Sequence, residues 1–270
     1  MAIISINGYI GSGKDTVGKI IQYLDWYKAA SNQDLSPNLT FEEWSKIKTI
    51  QYPFNHTPWE IKKFAGKLKQ IVALLTGCTV EDLESQEFKM KELGPEWNTY
   101  GIVRKEGIER QVAIQPTPHL KDSTWLAAGD NRQVENILTY RKLLQVIGTD
   151  ALRNVVHENI WVNALMSDYK PLDDTLRSSM GNVIDYSACP YPNWIITDLR
   201  FPNEAKAVEK RGGITIRVNR DNGTRAIDLN PHPSETSLDS HKFDYIIEND
   251  GSLEDLVNKV RGILQKENII

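Results

Sequence analysis

The chain reads as an α/β protein built on a parallel sheet, and three observations predict that class. A short apolar run, Ala2–Ile6, leads through a glycine-rich turn into a segment with helical periodicity. The last third of the chain alternates apolar strand-like runs with amphipathic helical ones, as in parallel sheets with crossover helices. The composition is that of a globular domain: 270 residues, 40% hydrophobic and 25% charged, with 7 Trp, 10 Tyr and 6 Phe to bury. That much apolar area excludes whole-chain disorder.

Ala2–Ile6 is the first predicted strand. A helix follows from about Gly13 to Leu24, with Val17, Ile20, Ile21 and Leu24 at helical spacing. Residues 28–60 are polar, carry Pro37, Pro53 and Pro58, and read as loops with a short helix at Phe41–Ile47. Ile61–Ala65 reads as a second strand. The next helix runs to Leu75, with Phe64, Leu68, Val72 and Leu75 on one stripe and Gly77 as its stop. Tyr100–Arg104 and Ile108–Ile114 flank Lys105-Glu106-Gly107 as a β-hairpin, and Gln115–Arg132 is loop. We expect one domain, 1–270, with 94–132 as an insertion. A helix over Val134–Ile147 is expected to break at Gly148 and restart behind Thr149-Asp150 through Met166; Lys170–Asn193 is a long polar loop. Trp194–Thr197 is a strand, followed by a helix opened by Pro202 and closed by Gly212-Gly213. Ile214–Val218 and Tyr245–Ile247 are further strands. Ser252 caps a last helix that turns Leu253, Leu256, Val257, Val260 and Leu264 inward.

The net charge of −4 and pI near 5.8 argue against a broad basic face for nucleic acid. A local cluster of Lys and Arg can still reverse the field inside one cleft. No apolar run approaches the roughly 18 residues that cross a bilayer, and the first residues lack the basic start of a signal peptide. With only Cys78 and Cys189, free thiols in a reducing cytoplasm are expected.

The motif that carries chemistry is Gly8-Tyr9-Ile10-Gly11-Ser12-Gly13-Lys14-Asp15-Thr16, set between a strand and a helix. Glycines there let backbone N–H groups turn inward around a polyphosphate, and the helix N-terminus adds partial positive charge. Lys14 would reach the β- and γ-phosphates. The competing reading is a tight βα turn with a chance lysine. The usual phosphate loop has Ser or Thr straight after the lysine, where the hydroxyl meets Mg²⁺; here Asp15 stands there and Thr16 comes next. Either Asp15 approaches the metal, directly or through water, or Thr16 binds a phosphate oxygen.

A phosphate loop alone is common to kinases, GTPases and motors. Four further segments follow it in order: Phe64-Ala65-Gly66-Lys67-Leu68-Lys69; the run from Arg141-Lys142 to Gly148-Thr149-Asp150; Thr197-Asp198-Leu199-Arg200-Phe201-Pro202-Asn203-Glu204; and Glu248-Asn249-Asp250-Gly251-Ser252. With the loop they resemble the deoxynucleoside monophosphate kinases of bacteriophages, a branch of the P-loop nucleotide kinases. The resemblance spans the chain apart from 28–58, 94–132 and 170–193. It implies the P-loop NTPase fold: a parallel five-stranded sheet with helices on both faces, here with an inserted hairpin and loop region. It also implies ATP-dependent phosphorylation of a deoxynucleoside 5′-monophosphate. By position, Gly11, Gly13, Lys14, Asp15 and Thr16 would hold ATP, with Asp15 and Thr16 toward Mg²⁺. Lys69, Arg141, Lys142, Gly148, Thr149, Trp161, Asp198, Arg200 and Glu204 would form the monophosphate side, and Lys14, Asp198 and Arg200 are the candidate catalytic residues.

Each has a plainer reading. Lys69, Arg141 and Lys142 also read as solvated helix charges, and Trp161 as a core tryptophan. Asp198 and Arg200 follow an apolar strand, where ligands of open α/β sheets bind, but also read as a structural pair at the sheet rim. Arg217, Arg220 and Arg225 suggest an arginine lid or a solvated turn. His232-Pro233-Ser234-Glu235 receives no role. Two rivals stand beside nucleotide phosphorylation: a kinase for dephospho-coenzyme A or phosphomevalonate, and a nucleotide-regulated binding protein. The expected partner is a small-molecule nucleotide in the cytoplasm (the host's, if the protein is viral), without nucleic acid or membrane. Monomer and homodimer both stay open.

Overall fold

A computed structural model of the chain describes residues 2–32, 38–52, 56, 58–94, 97, 100–105, 108–113, 138–171, 191–220 and 236–270. The chain divides into two compact units, one of residues 1–66 with 159–270 and one of residues 67–158.

The first unit holds a five-stranded sheet in the order β2 (Glu60–Lys62), β5 (Trp194–Ile196), β1 (Ile3–Asn7), β6 (Ile214–Asn219), β7 (Tyr245–Glu248). All four pairings are parallel, with Ile4 opposite Ile195 on one side and Ile214 on the other. β1 is central and every residue in it is buried, as a strand covered on both faces must be. Ile4 and Ile6 point to the face where α1 (Lys14–Ser31) places Val17, Ile20, Ile21 and Leu24. On the same face the C-terminal helix, Leu253–Lys266, contributes Leu256, Val257, Val260 and Leu264. Ile3 points the other way and meets Val208 of the helix Pro202–Glu209 above Gly213. α2 (Phe41–Ser45) closes an aromatic cluster of Tyr23, Trp26, Phe41 and Trp44.

The second unit contains α3 (Gly66–Thr76, whose first residue belongs to the first unit), a short helix Gln86–Lys89, the hairpin β3 (Tyr100–Lys105) and β4 (Ile108–Ala113), and the helix Tyr140–Gln145. The hairpin expected from the sequence is present: its strands pair antiparallel from Tyr100 opposite Ala113 to Lys105 opposite Ile108, so Lys105, expected in the turn, belongs to β3. The expected loop at Gln115–Arg132, most of the expected loop at Lys170–Asn193, the start of the helix expected at Val134, Cys189, Arg225 and His232–Glu235 lie outside the described residues. Cys78 is a free thiol.

Several expectations are corrected. β2 ends at Lys62, not Ala65, because the Asp198 carboxylate takes the N–H groups of Phe64 (2.8 Å) and Ala65 (2.9 Å) out of any ladder. α1 continues past Leu24 to Ser31. Leu75 is 52% exposed and does not belong to the buried stripe, which keeps Phe64, Leu68 and Val72. Gly148 breaks nothing. The helix runs on through it as a π-helix, Val146–Val156, whose wider turns end with the His157 N–H on the Leu152 carbonyl at 3.0 Å. The interruption falls instead after His157, before α6's seven residues Ile160–Met166. Gly148 is glycine for packing: a Cβ there would sit 2.6 Å from a Leu68 methyl carbon.

Candidate active site at the carboxyl edge of the sheet

Parallel strands present all their carboxyl ends at one edge, and candidate residues of the first unit gather there. β1 ends at Asn7 and enters the glycine-rich loop. Gly11 and Gly13 take φ of 80° and 97°, which only glycine adopts without strain, and this winds the loop tightly enough for the Ser12 N–H to reach the Tyr9 carbonyl at 3.1 Å. Gly13 is the N-cap of α1, and no side chain caps that end. The first-turn amides and the positive end of the helix are therefore presented to an anion.

Lys14 donates from Nζ to the Tyr9 carbonyl at 3.2 Å. Burial lowers its pKa, and the Arg200 guanidinium lowers it further, with Lys63 adding to the effect; Asp15 and Asp198 oppose them. The ammonium thus sits half-buried, its charge disfavoured chiefly by lost hydration, a setting that a polyanion would relieve. Asp15 Oδ1 accepts a hydrogen bond from the Thr197 hydroxyl at 2.9 Å and lies 3.7 Å from Lys63 Nζ. Thr16 lies half-buried in the same first turn. Asp198 is buried, and its carboxylate clamps the start of the β2–α3 connection as described above. Glu204 is also buried; it accepts from the backbone N–H groups of Arg200 (2.9 Å) and Phe201 (3.1 Å). It therefore holds the Arg200 backbone at the start of the helix Pro202–Glu209.

The structure thus brings Lys14, Asp15, Asp198 and Arg200 into one cluster. Trp161 is 5% exposed among Val162, Leu165 and Met166 of α6, as a core residue. Lys69, Arg141, Lys142, Gly148 and Thr149 belong to the second unit. There Lys69 is buried and paired with Glu84 at 2.6 Å, which corrects the solvated-lysine reading. Arg141 donates to Gln86 Oε1 at 2.7 Å, and its buried Nε has no hydrogen-bond partner among the described residues. Lys142 is exposed.

Sequence reasoning missed Lys63 and Thr197, although both stand at strand ends, the position that singled out Asp198. It also missed a cleft of about 570 Å³ beside the loop, lined by Tyr9, Arg217, Arg220, His241, Phe243 and Asp250 among others. Arg217 is no lid residue. It lies within β6, pairs with Asp239 and donates to Asn7 Oδ1, both at 3.0 Å, and stacks 4.9 Å over the Tyr9 ring. Among the described residues no three or more His, Cys, Asp or Glu are placed to hold a metal ion, and no helix is long and apolar enough to cross a membrane.

The chain is similar to known viral kinases. The chain is 29% identical over 284 residues to the deoxynucleotide monophosphate kinase of Escherichia phage RB69, covering 98% of this chain and 100% of that protein. It is 23% identical over 278 residues to the deoxynucleoside-5′-monophosphate kinase of Escherichia phage T5, covering 97% and 91%. A putative deoxynucleotide monophosphate kinase of Acanthamoeba polyphaga mimivirus is 32% identical over 130 residues, 45% of this chain and 59% of that protein. The family described as deoxynucleotide monophosphate kinase matches residues 121–260, a span that includes the Asp198–Arg200 segment and three of the five strands of the sheet. With the family's match extending over half of the chain, the chain belongs to the deoxynucleotide monophosphate kinase family.

Proposed function

We propose that the protein transfers the γ-phosphoryl group of ATP to a deoxynucleoside 5′-monophosphate, releasing ADP and the deoxynucleoside diphosphate. The observation that carries this reading is the uncapped, glycine-wound start of α1, which holds Lys14, at the sheet edge where Asp198 and Arg200 follow β5. Two cations so placed are suited to a reaction joining two phosphate groups. Lys14 binds the donor's phosphates together with the amides of the loop. Arg200 grips the acceptor's phosphate, its guanidinium offering two parallel hydrogen bonds. Asp198 orders the β2–α3 connection through two amides, and its charge favours the ammonium form of Lys14. The catalysis is positioning and charge neutralisation.

Asp15 and Thr16 fit a magnesium ion that arrives with ATP. The Asp15 carboxylate is 65% exposed and steadied by Thr197, whereas that of Asp198 is buried on backbone amides. One protein carboxylate, with water and phosphate oxygens completing an octahedron, is a usual magnesium site. When bound, the ion would neutralise phosphate charge. The cleft beside Tyr9 is continuous with the loop and suits the nucleoside end of ATP. We read residues 94–132 as an insertion in this kinase and place its action in the cytoplasm.

The test is to incubate the protein with Mg·ATP and a panel of ribo- and deoxynucleoside monophosphates while ADP release is followed. We expect release that depends on a deoxynucleoside monophosphate. Release that is indifferent to every acceptor would overturn the reading.

A further inference from the structure

We infer that Asn249 is a positioning residue for the phosphate loop: its side-chain amide turns the Ser12–Gly13 peptide so that the loop's N–H groups face the donor's phosphates. The inference rests on the function proposed above and concerns a residue outside the phosphate-loop motif, 236 positions beyond Gly13.

Asn249 follows directly on β7. Its backbone N–H donates to the Asn219 carbonyl at the end of β6 at 2.8 Å, which fixes the residue to the sheet edge. Its Nδ2 donates to the Ser12 carbonyl at 2.9 Å. The carbonyl of Ser12 and the N–H of Gly13 belong to one planar trans peptide and point in opposite directions. A donor that draws the carbonyl outward therefore aims the Gly13 N–H inward. A phosphate cradle requires inward N–H groups and outward carbonyls, since a carbonyl aimed at a phosphate would repel it. The fit is close: a Cβ on Gly13, at φ 97°, would lie 2.6 Å from Asn249 Nδ2. Glycine at position 13 thus makes room for this contact as well as for the turn. Asn249 also stands between Glu248 and Asp250, which line the cleft beside the loop, so one residue joins the loop to the cleft wall.

Asn249→Asp keeps the shape but places an oxygen where Nδ2 donates, so it repels the Ser12 carbonyl. Calorimetry with Mg·ATP, Michaelis constants for both substrates and a melting curve are measured together on the full chain. The expected result is ATP binding weaker by about tenfold, equivalent to about 1.4 kcal/mol. The acceptor's Michaelis constant stays within about twofold, because the side-chain hydrogen bond that is lost goes to the donor's loop. Asn249→Ala gives the same pattern with a smaller loss, and carries the test if Asn249→Asp does not fold. ATP affinity within about twofold of the unsubstituted protein overturns the inference, as does an equal loss for both substrates with a lowered melting temperature. Lys14→Ala is the control for the parent reading. If it binds ATP normally, the loop is no phosphate site and both readings fall; if it loses ATP while Asn249→Asp does not, only the inference falls.

Discussion

Two half-buried regions of positive charge contrast in this molecule, the phosphate-loop edge of the sheet and the start of α3. Lys14 and Lys69 each lie in the first turn of a helix and are withdrawn from water. Lys69 carries its own counter-ion, with Glu84 at 2.6 Å. Lys14 has a carbonyl oxygen at 3.2 Å and, among the described residues, no carboxylate paired to it; burial, Arg200 and Lys63 disfavour its charge, while Asp15 and Asp198 favour it. A protein that places cations together in a partly buried spot bears an electrostatic cost, and a polyanionic ligand relieves it. A buried cation with its carboxylate beside it is already neutralised and reads as structure. The difference is the ground on which we propose Lys14 for the site and a structural role for Lys69, two residues that look alike in sequence.

Substitutions can break that contrast. The largest effect is expected from Lys14→Ala, which should lower turnover by roughly two to three orders of magnitude, the scale of losing one well-placed charge donor. Its melting temperature should not fall, since an ammonium whose charge burial disfavours is removed; a folded variant with near-normal turnover would put Lys14 outside the chemistry. Arg200→Lys comes next. It should raise the acceptor's Michaelis constant by about tenfold while ATP affinity stays within a few-fold, because lysine cannot reproduce a two-bond grip. Equal losses for both substrates would make Arg200 a rim residue. Lys69→Met should do the opposite of Lys14→Ala, lowering stability by on the order of 1 kcal/mol through the lost ion pair and leaving the Michaelis constants near normal. A collapse of activity at unchanged melting temperature would move Lys69 into the site.

The smallest effect is in protons. Lys14 has a pKa below its ordinary 10.5 in the folded protein, so the unfolded chain binds more protons between the lowered value and 10.5. Stability of the ligand-free protein therefore gains a component that rises with pH across that window. A bound polyphosphate restores the charged form. Calorimetry in two buffers of different ionisation enthalpy, at a pH inside that window, should show proton uptake on ATP binding, and none in Lys14→Ala.

Much of the site was legible because it is local. A strand, a glycine-rich turn and a lysine at a helix start are neighbours in sequence, and so are Trp194–Thr197 and the Asp198–Arg200 that follows it. What was not legible depends on residues far apart meeting. Thr197 holds Asp15 across 182 positions, and Asn249 holds Ser12 across 237. For Lys69 the sequence offers a substrate contact or a solvated charge, and not the ion pair, because nothing in its own helix announces Glu84. Gly148 looked like a helix stop because a glycine kept small by Leu68 and a glycine that ends a helix are the same letter. β2 came out short because Asp198, far along the chain, claims the amides that would have extended it.

The central claim is that phosphate moves between two nucleotides on one edge of the sheet. ATP labelled in its γ-phosphate tests it most directly, by incubating protein, Mg²⁺ and a deoxynucleoside monophosphate and following where the label goes. We predict label in the deoxynucleoside diphosphate, one for each ADP formed, with negligible free phosphate. Label released as inorganic phosphate, with the monophosphate unchanged for every base tried, would contradict it.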